Sequence, residues 1–185
     1  SLRCLDMYIR ELSTSDLADT FCKSIEFGFI PVVRAIVESG RFNEIDANGE
    51  RGLGAALARA ADSGRVEATQ LIMENSRFAE INANGQDGLG AALTRAAGSG
   101  CVEVVQLIME HPRFDEINAN GDYGLGYALI VAAYSGRIEA MKLIMEHPRF
   151  AEIDANGRWG LGNALVSVAH SGNVEAMKLI MKHPR

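Results

Sequence analysis

The chain has 185 residues, 48% apolar and 23% charged, the composition of an ordinary globular domain with room for a core. Its net charge of −6 and its interspersed basic residues argue against nucleic-acid binding, and no apolar run approaches the roughly 20 residues of a membrane-spanning helix. We therefore expect neither nucleic acid nor a membrane among its partners. Cys4, Cys22 and Cys101 lack metal or disulfide spacing, which predicts free thiols in a reducing compartment, taken here as the cytoplasm.

The N-terminal segment, residues 1–16, is predicted to form an amphipathic helix. Its apolar positions fall on one helical side: Leu2, Leu5, Ile9 and Leu12. The polar run from Ser13 to Asp16 then offers capping side chains for a following helix. Residues 17–40 fit the pattern of the later repeats loosely, with Pro31 where those have Glu. They are predicted to form a divergent capping repeat, because a terminal repeat meets water on one side.

Four near-identical repeats follow, at 41–76, 77–112, 113–148 and 149–185, and their starts are 36 residues apart. Each begins with Arg-Phe, and 19 of the 36 positions are identical in all four, so the whole chain is expected to be one repeat domain. The last repeat keeps its apolar residues up to Met181. No segment comparable to residues 1–16 follows it, so we expect the natural chain to continue past Arg185.

Each repeat predicts two short helices and a loop. Gly-Leu-Gly begins the first helix, and Ser63-Gly64 ends it in the first repeat because glycine accepts the left-handed conformation. The second helix is predicted from about Val66 to Glu74. In later repeats it ends at His-Pro, with histidine as a cation at the helix C-terminus. The Asn-Gly pairs are predicted to supply the positive φ angles of a tight turn.

The spacing resembles the ankyrin repeat. In the third repeat the matching segments are Ala128-Leu129, Ala132-Ala133, Gly136, Glu139, Leu143-Ile144-Met145 and Ile117-Asn118-Ala119. The resemblance implies an all-α solenoid of stacked helix-turn-helix repeats, whose first helices and loop tips line a concave groove that binds partner proteins. Two departures are present: the family's Thr-Pro-Leu-His is replaced, and extra residues stand around His-Pro-Arg-Phe and Gly-Leu-Gly. We therefore expect a shifted first-helix start and a looser loop than the family's hairpin.

Positions that change between repeats indicate where a partner binds. One set, 55, 58, 59 and 62 with its equivalents, has the i, i+3, i+4, i+7 spacing of one helical stripe, and the other set follows each Asn-Gly. The third and fourth repeats carry aromatic residues there, the type that dominates interface energies. The predicted anchors are Tyr123, Tyr127, Tyr134 and Trp159, with Arg158, His170, Ile130, Arg59 and Arg95 as further contacts. The alternative is that Ile130, Val131 and Tyr127 pack between neighbouring repeats.

Three candidate chemical sites lack the residues or the distances that their chemistry requires. His111, His147 and His183 recur one repeat apart, and packed helices roughly 8–10 Å apart are too distant for a shared metal. The run from Asp154 to Gly157 lacks the remaining ligands of a calcium loop, and Cys101 has no base near it in sequence. We expect no catalytic residue, no metal, no cofactor and no small-molecule substrate.

The sequence thus predicts a non-enzymatic protein-binding scaffold, monomeric unless its C-terminal end associates. One alternative is a targeting module of a larger enzyme or secreted effector whose catalytic domain lies outside these residues. In being nearly identical to one another, the repeats resemble those of effectors that act in host cytoplasm. Another alternative is a structural spacer or self-assembling array.

Overall fold

The computed structural model describes residues 2–183, with Leu2 and Arg3 as backbone only. This part of the chain forms eleven α-helices and four short 3-10 helices, without a β-strand, and none of the helices is long and apolar enough to cross a membrane. The α-helices are α1 Leu2–Glu11, α2 Thr14–Phe27, α3 Ile30–Glu38, α4 Leu53–Asp62, α5 Val66–Met73, α6 Leu89–Ser99, α7 Val102–Glu110, α8 Leu125–Tyr134, α9 Ile138–Glu146, α10 Leu161–Ser171 and α11 Val174–Lys182. The predicted all-α solenoid is confirmed.

The helices form two layers. The first helices of the repeats, α4, α6, α8 and α10, pack side by side, and the second helices, α5, α7, α9 and α11, form a parallel row behind them. The first helix starts at Leu53, Leu89, Leu125 and Leu161, one residue after a glycine cap, as Gly-Leu-Gly predicts. Gly64, Gly100, Gly136 and Gly172 have φ between 63° and 83° and end these helices.

The N-terminal segment begins the stack. Ser13 caps α2, since its Oγ accepts the Asp16 N–H at 3.1 Å. Helix α1 packs against α3 and buries Ile9, while Leu5 and Leu12 are half-buried against the core. Leu2, the fourth member of the predicted apolar stripe, lies outside the described side chains.

A short 3-10 helix, which the sequence did not predict, separates each second helix from its loop: Gly40–Glu44, Ser76–Glu80, Pro112–Glu116 and Pro148–Glu152. The constant phenylalanine of each copy points into the core; Phe78 is 3% exposed and Phe114 is 2% exposed. Burying such a side chain contributes about 1.5–3 kcal/mol, and the same position does so in every repeat.

The constant arginine joins each repeat to the one before it. Arg149 donates from Nη1 to the Phe114 carbonyl at 2.6 Å and from Nη2 to the Ile117 carbonyl at 2.7 Å. The same guanidinium forms an ion pair with Glu152 at 2.8 Å. In the first copy, Arg41 bonds the Glu44 carboxylate and, with a further bond from Thr14, holds the Glu44 pKa at about 2. The arginine thus closes the carbonyl ends of the preceding 3-10 turn.

The histidines of the His-Pro steps correct one expectation. His111 Nδ1 accepts the Arg113 N–H at 3.1 Å, and His147 Nδ1 accepts the Arg149 N–H at 3.2 Å. An accepting ring nitrogen is unprotonated. Burial, followed by the nearby arginine, lowers the pKa of His111 below its usual 6.5, and that of His147 likewise. They are neutral caps of the 3-10 helix, so the predicted cationic role at the preceding helix end is wrong.

The Asn-Gly pairs also differ from prediction, because none of their residues has positive φ. Instead the asparagine bridges two repeats: Asn84 Nδ2 donates to the Glu116 carbonyl at 2.8 Å, and its Oδ1 accepts the Asn118 N–H at 2.7 Å. Asn48 and Asn120 make the equivalent pair of bonds. The asparagine is constant because its side chain aligns neighbouring loops.

Candidate functional site

The loop tips are held by close backbone contact between repeats. A Cβ at Gly90 would lie 2.1 Å from the Tyr123 carbonyl oxygen, and one at Gly126 would lie 2.0 Å from that of Trp159. Only glycine permits this approach. The backbone of each tip therefore rests on the first helix of the preceding repeat, and this contact positions Tyr123 and Trp159 beside the first-helix layer.

Three of the predicted aromatic residues form one cluster, which we call the aromatic cluster: Tyr123, Tyr127 and Trp159. The Tyr123 and Tyr127 rings meet edge-on at 6.0 Å, and the Tyr127 and Trp159 centroids lie 4.4 Å apart. Trp159 Nε1 donates to Asp122 at 2.7 Å, while the Arg158 guanidinium covers the indole at 4.7 Å. All three rings are half-buried, so each keeps a face or an edge for a partner.

Tyr123 has an unusual backbone. Its φ of 57° is the one positive value among the described non-glycine residues. A tyrosine in the left-handed region costs roughly 1–2 kcal/mol relative to ordinary conformations. The equivalent residues Arg51, Asp87 and Trp159 have no such φ, so the third loop alone carries this strain beside the aromatic cluster.

The remaining predicted residues separate into two groups. Tyr134 is 61% exposed, and His170 is exposed with its Nδ1 donating to the Val166 carbonyl at 2.8 Å. Both stand on the same face as the cluster but outside it. Ile130 does not belong to the surface: its side chain is 8% exposed and packs in the core. For Ile130 the alternative of packing between repeats holds, because its position on α8 faces the neighbouring helices.

Arg59 and Arg95 line a second, polar part of the same face. A cavity of about 240 Å³ over α4 is bounded by four carboxylates and these two guanidinium groups; the acids are Glu26, Glu50, Asp62 and Asp87. Arg59 lies 3.7 Å from Glu26, whereas the other three acids and Arg95 form no ion pair within residues 2–183. The sequence reasoning did not select these acids, although three of them occupy changing positions of the first two repeats.

Next to it, over α6, lies a cavity of about 410 Å³ that we call the aromatic cavity. Its lining includes Tyr123, Tyr127, Val131 and Thr94. Asp62 and Arg95 line both cavities, so the two cavities adjoin. A volume of this order lies within the range of ordinary ligand sites.

No metal or nucleophile arrangement stands out in the part of the chain that the structure describes. There, no three His, Cys, Asp or Glu side chains form a group that could hold a metal ion. Cys101 Sγ accepts a bond from Ser99 Oγ at 3.2 Å, and burial raises the pKa of the Cys22 thiol. The side chains that cluster on this surface are aromatic and charged, and such side chains suit the binding of another molecule.

Comparison with known families agrees with this architecture. A family model for ankyrin repeats, in three copies, matches residues 57–157, more than half of the chain. None of the curated proteins matches the sequence. Ankyrin repeats are generally protein–protein interaction modules, and proteins built from them are typically non-enzymatic scaffolds. The chain therefore belongs to the ankyrin repeat family.

Proposed function

We propose that the chain binds a partner protein through the face formed by its first helices and loop tips, with the aromatic cluster as the anchor. The supporting observation is the stack of Tyr123, Tyr127 and Trp159, half-buried and still accessible. Aromatic side chains held rigidly at a surface bind with little further loss of conformational entropy. Tyr134, Arg158, His170, Arg59 and Arg95 surround the anchor on the same face and supply its polar contacts.

Strain at Tyr123 supports the same assignment. Backbone strain persists where the surrounding structure holds it, and it concentrates at binding sites. Here the strained residue is also a member of the aromatic cluster. Its repeat is the one in which the first-helix stripe changes from small residues to Tyr127 and Tyr134.

The test is affinity capture from cell extract with the 185-residue chain and a Tyr123→Ala, Tyr134→Ala, Trp159→Ala variant. The control variant changes three exposed residues of the opposite layer, Gln70→Ala, Gln106→Ala and Lys178→Ala. We expect the aromatic variant to lose specific proteins that the wild type and the control both retain. An identical set of proteins from all three baits contradicts the proposed site.

A second candidate is self-association through the last repeat. Val174 is 59% exposed and Met181 is 70% exposed, whereas Met145, one repeat earlier, is 4% exposed. When two copies of the chain bury these apolar side chains against each other, the burial stabilises a dimer. Light scattering at increasing concentration tests this. A mass that rises for the wild type and stays at one chain for Met181→Lys supports it, and a constant mass for both excludes it.

The proposed setting is a reducing compartment, the cytoplasm of the cell or, for a secreted effector, of its host. Cys22 and Cys101 are free thiols. Cys22 is buried with Sγ donating to the Arg51 carbonyl at 3.6 Å, so it packs as a small apolar side chain.

A further inference from the structure

The four Asn-Gly pairs of the chain have the same local sequence and different surroundings. Each pair is preceded by alanine, so the tripeptide Ala-Asn-Gly occurs at 47–49, 83–85, 119–121 and 155–157. An asparagine followed by glycine is open to deamidation, because glycine has no Cβ to shield the backbone nitrogen that attacks the side chain. We therefore expect the folded structure to determine which of the four pairs reacts.

In the first three repeats, the next repeat holds both ends of the asparagine amide. Asn84 Nδ2 donates to the Glu116 carbonyl at 2.8 Å, and its Oδ1 accepts the Asn118 N–H at 2.7 Å. Asn48 and Asn120 are held by equivalent bonds of 2.7 to 2.9 Å. The side-chain carbonyl carbon must turn toward the following backbone nitrogen before it can react. Both hydrogen bonds must break first, so these three side chains are protected.

The asparagine of the last repeat is not held in this way. Asn156 is exposed, and its side chain makes no hydrogen bond within residues 2–183. The backbone N–H of Gly157 likewise donates to no acceptor in this part of the chain. The amide can therefore turn toward the Gly157 nitrogen without the loss of a bond, and water reaches it from the surface.

We propose that Asn156 is a site of spontaneous covalent modification, which deamidates while Asn48, Asn84 and Asn120 remain intact. The Gly157 nitrogen attacks Cγ of Asn156, and the new N–Cγ bond closes a succinimide ring. The Cγ–Nδ2 bond breaks, and the departing nitrogen takes the Gly157 amide proton and leaves as ammonia. Water then opens the ring at either carbonyl, which gives aspartate or isoaspartate and one additional negative charge.

The modified loop carries part of the aromatic cluster. Arg158 and Trp159 follow the site directly, and Trp159 Nε1 bonds Asp122 at 2.7 Å while its ring lies 4.4 Å from that of Tyr127. Isoaspartate leads the backbone through the former side chain and so lengthens it by one methylene group. We expect this extra length to displace the indole. Binding through the aromatic cluster should then weaken, although the reaction itself does not depend on the proposed function.

The test is a time course of the 185-residue chain at neutral pH, followed by tryptic peptide mapping. Cleavage after arginine places each Asn-Gly pair in a separate peptide, ending at Arg51, Arg95, Arg137 or Arg158. Deamidation adds about one dalton to the peptide in which it occurs. A parallel sample kept unfolded in urea measures the reactivity of the same four pairs without the fold.

In the folded chain, we expect Asn156 to react about tenfold faster than Asn84 and Asn120, or more. A factor of ten corresponds to about 1.4 kcal/mol, which the loss of two hydrogen bonds supplies. In urea the four rates should converge. Equal rates in the folded chain, or a faster reaction at a bridged asparagine, overturn the proposal. An unchanged preference for Asn156 in urea overturns it too, because the flanking residues would then set the rate.

Tryptophan fluorescence measures the consequence for the loop, since Trp159 is the only tryptophan in the chain. Its emission should shift to longer wavelength in step with the modification of Asn156. The Asn156→Ala variant cannot deamidate at this position, so its emission should stay constant over the same time. Constant emission in the fully modified wild type contradicts displacement of the indole, and an equal shift in the variant shows that another process moves it.

Discussion

Arg113 and Phe78 are 35 residues apart in the chain and in direct contact between two repeats: the guanidinium lies 4.9 Å from the ring centroid, and its Nη1 donates to the Phe78 carbonyl. Arg77 and Arg149 repeat this relationship with Phe42 and Phe114. The constant Arg-Phe pair is therefore a junction between neighbours. Arg and Phe are the same in every repeat because each pair forms this contact between neighbouring repeats.

The first prediction concerns this junction. Arg113→Lys keeps the charge and removes the forked donors that bond two carbonyls and Glu116, so we expect a loss of about 1–3 kcal/mol in the free energy of unfolding. Urea denaturation measures it. The matched control is Arg34→Lys, whose ion pair with Glu67 is exposed, and it should change stability by less than about 0.5 kcal/mol. Equal losses for the two variants would argue against the junction.

The second prediction concerns the asparagine bridge. Asn84→Ala removes two hydrogen bonds to the next repeat and should lower the free energy of unfolding by about 1–2 kcal/mol. Asn156 occupies the same position in the last repeat, and its side chain makes no hydrogen bond within residues 2–183. Asn156→Ala should therefore leave the melting temperature nearly unchanged. A similar fall for both variants would show that the residue acts within its own loop.

The third prediction concerns the close approach at Gly90. Gly90→Ala places a Cβ 2.1 Å from the Tyr123 carbonyl oxygen, which backbone cannot accommodate without moving the third loop. We expect the free energy of unfolding to fall by about 2 kcal/mol or more, which is the usual cost of an overpacked substitution. Partner binding should weaken as well. Gly40→Ala, where nothing lies within 4 Å, should be neutral by thermal denaturation. Unchanged stability of Gly90→Ala would contradict the described stacking.

The fourth prediction is a pH dependence. The pKa values of His111 and His147 are lowered in the folded state, so the unfolded chain binds these protons more readily. Their contribution to stability is present above pH 6.5 and is lost as the pH falls through the lower, folded values. His111→Asn, His147→Asn should lose less stability between pH 7.5 and pH 5.5 than the wild type. Asparagine is the matched choice, since Asn75 caps Arg77 in the same way at 2.9 Å.

Urea denaturation at the two pH values decides this prediction. A wild type and a double variant with the same pH dependence would show that other groups are responsible. A double variant that unfolds at pH 7.5 would show that the ring contacts with Phe78 and Phe114, 4.8 Å between centroids, matter more than the cap.

The repeat and its helices could be predicted from sequence because their signals are local. The Gly-Leu-Gly start, the Ser63-Gly64 end and the Ser13 cap each depend on residues within a few positions. The asparagine bridge could not, because its partners lie 32 and 34 residues away. For the same reason the histidines were assigned the wrong charge, since His111 and His147 pack on Phe78 and Phe114, each 33 residues earlier in the chain.

The candidate site was predictable in part. Aromatic residues at changing positions led to Tyr123, Tyr127 and Trp159, which the structure brings together. The same criterion included Ile130, which is buried, because the helical stripe has a core edge as well as a surface edge. The acidic and aromatic cavities are each lined by residues of more than one repeat, and a cavity has no local sequence signal.

The central claim, that a partner binds the first-helix face, is tested most directly by site-specific photo-crosslinking. Benzoylphenylalanine replaces Tyr134 on that face in one protein and Gln106, an exposed residue of α7 in the opposite layer, in the other. Both are irradiated in the same cell extract, and crosslinked products are identified by mass spectrometry. The predicted result is a specific protein adduct at position 134 that the Trp159→Ala variant loses, with none at position 106. An adduct at position 106 alone, or the same adduct at both positions, would contradict the claim.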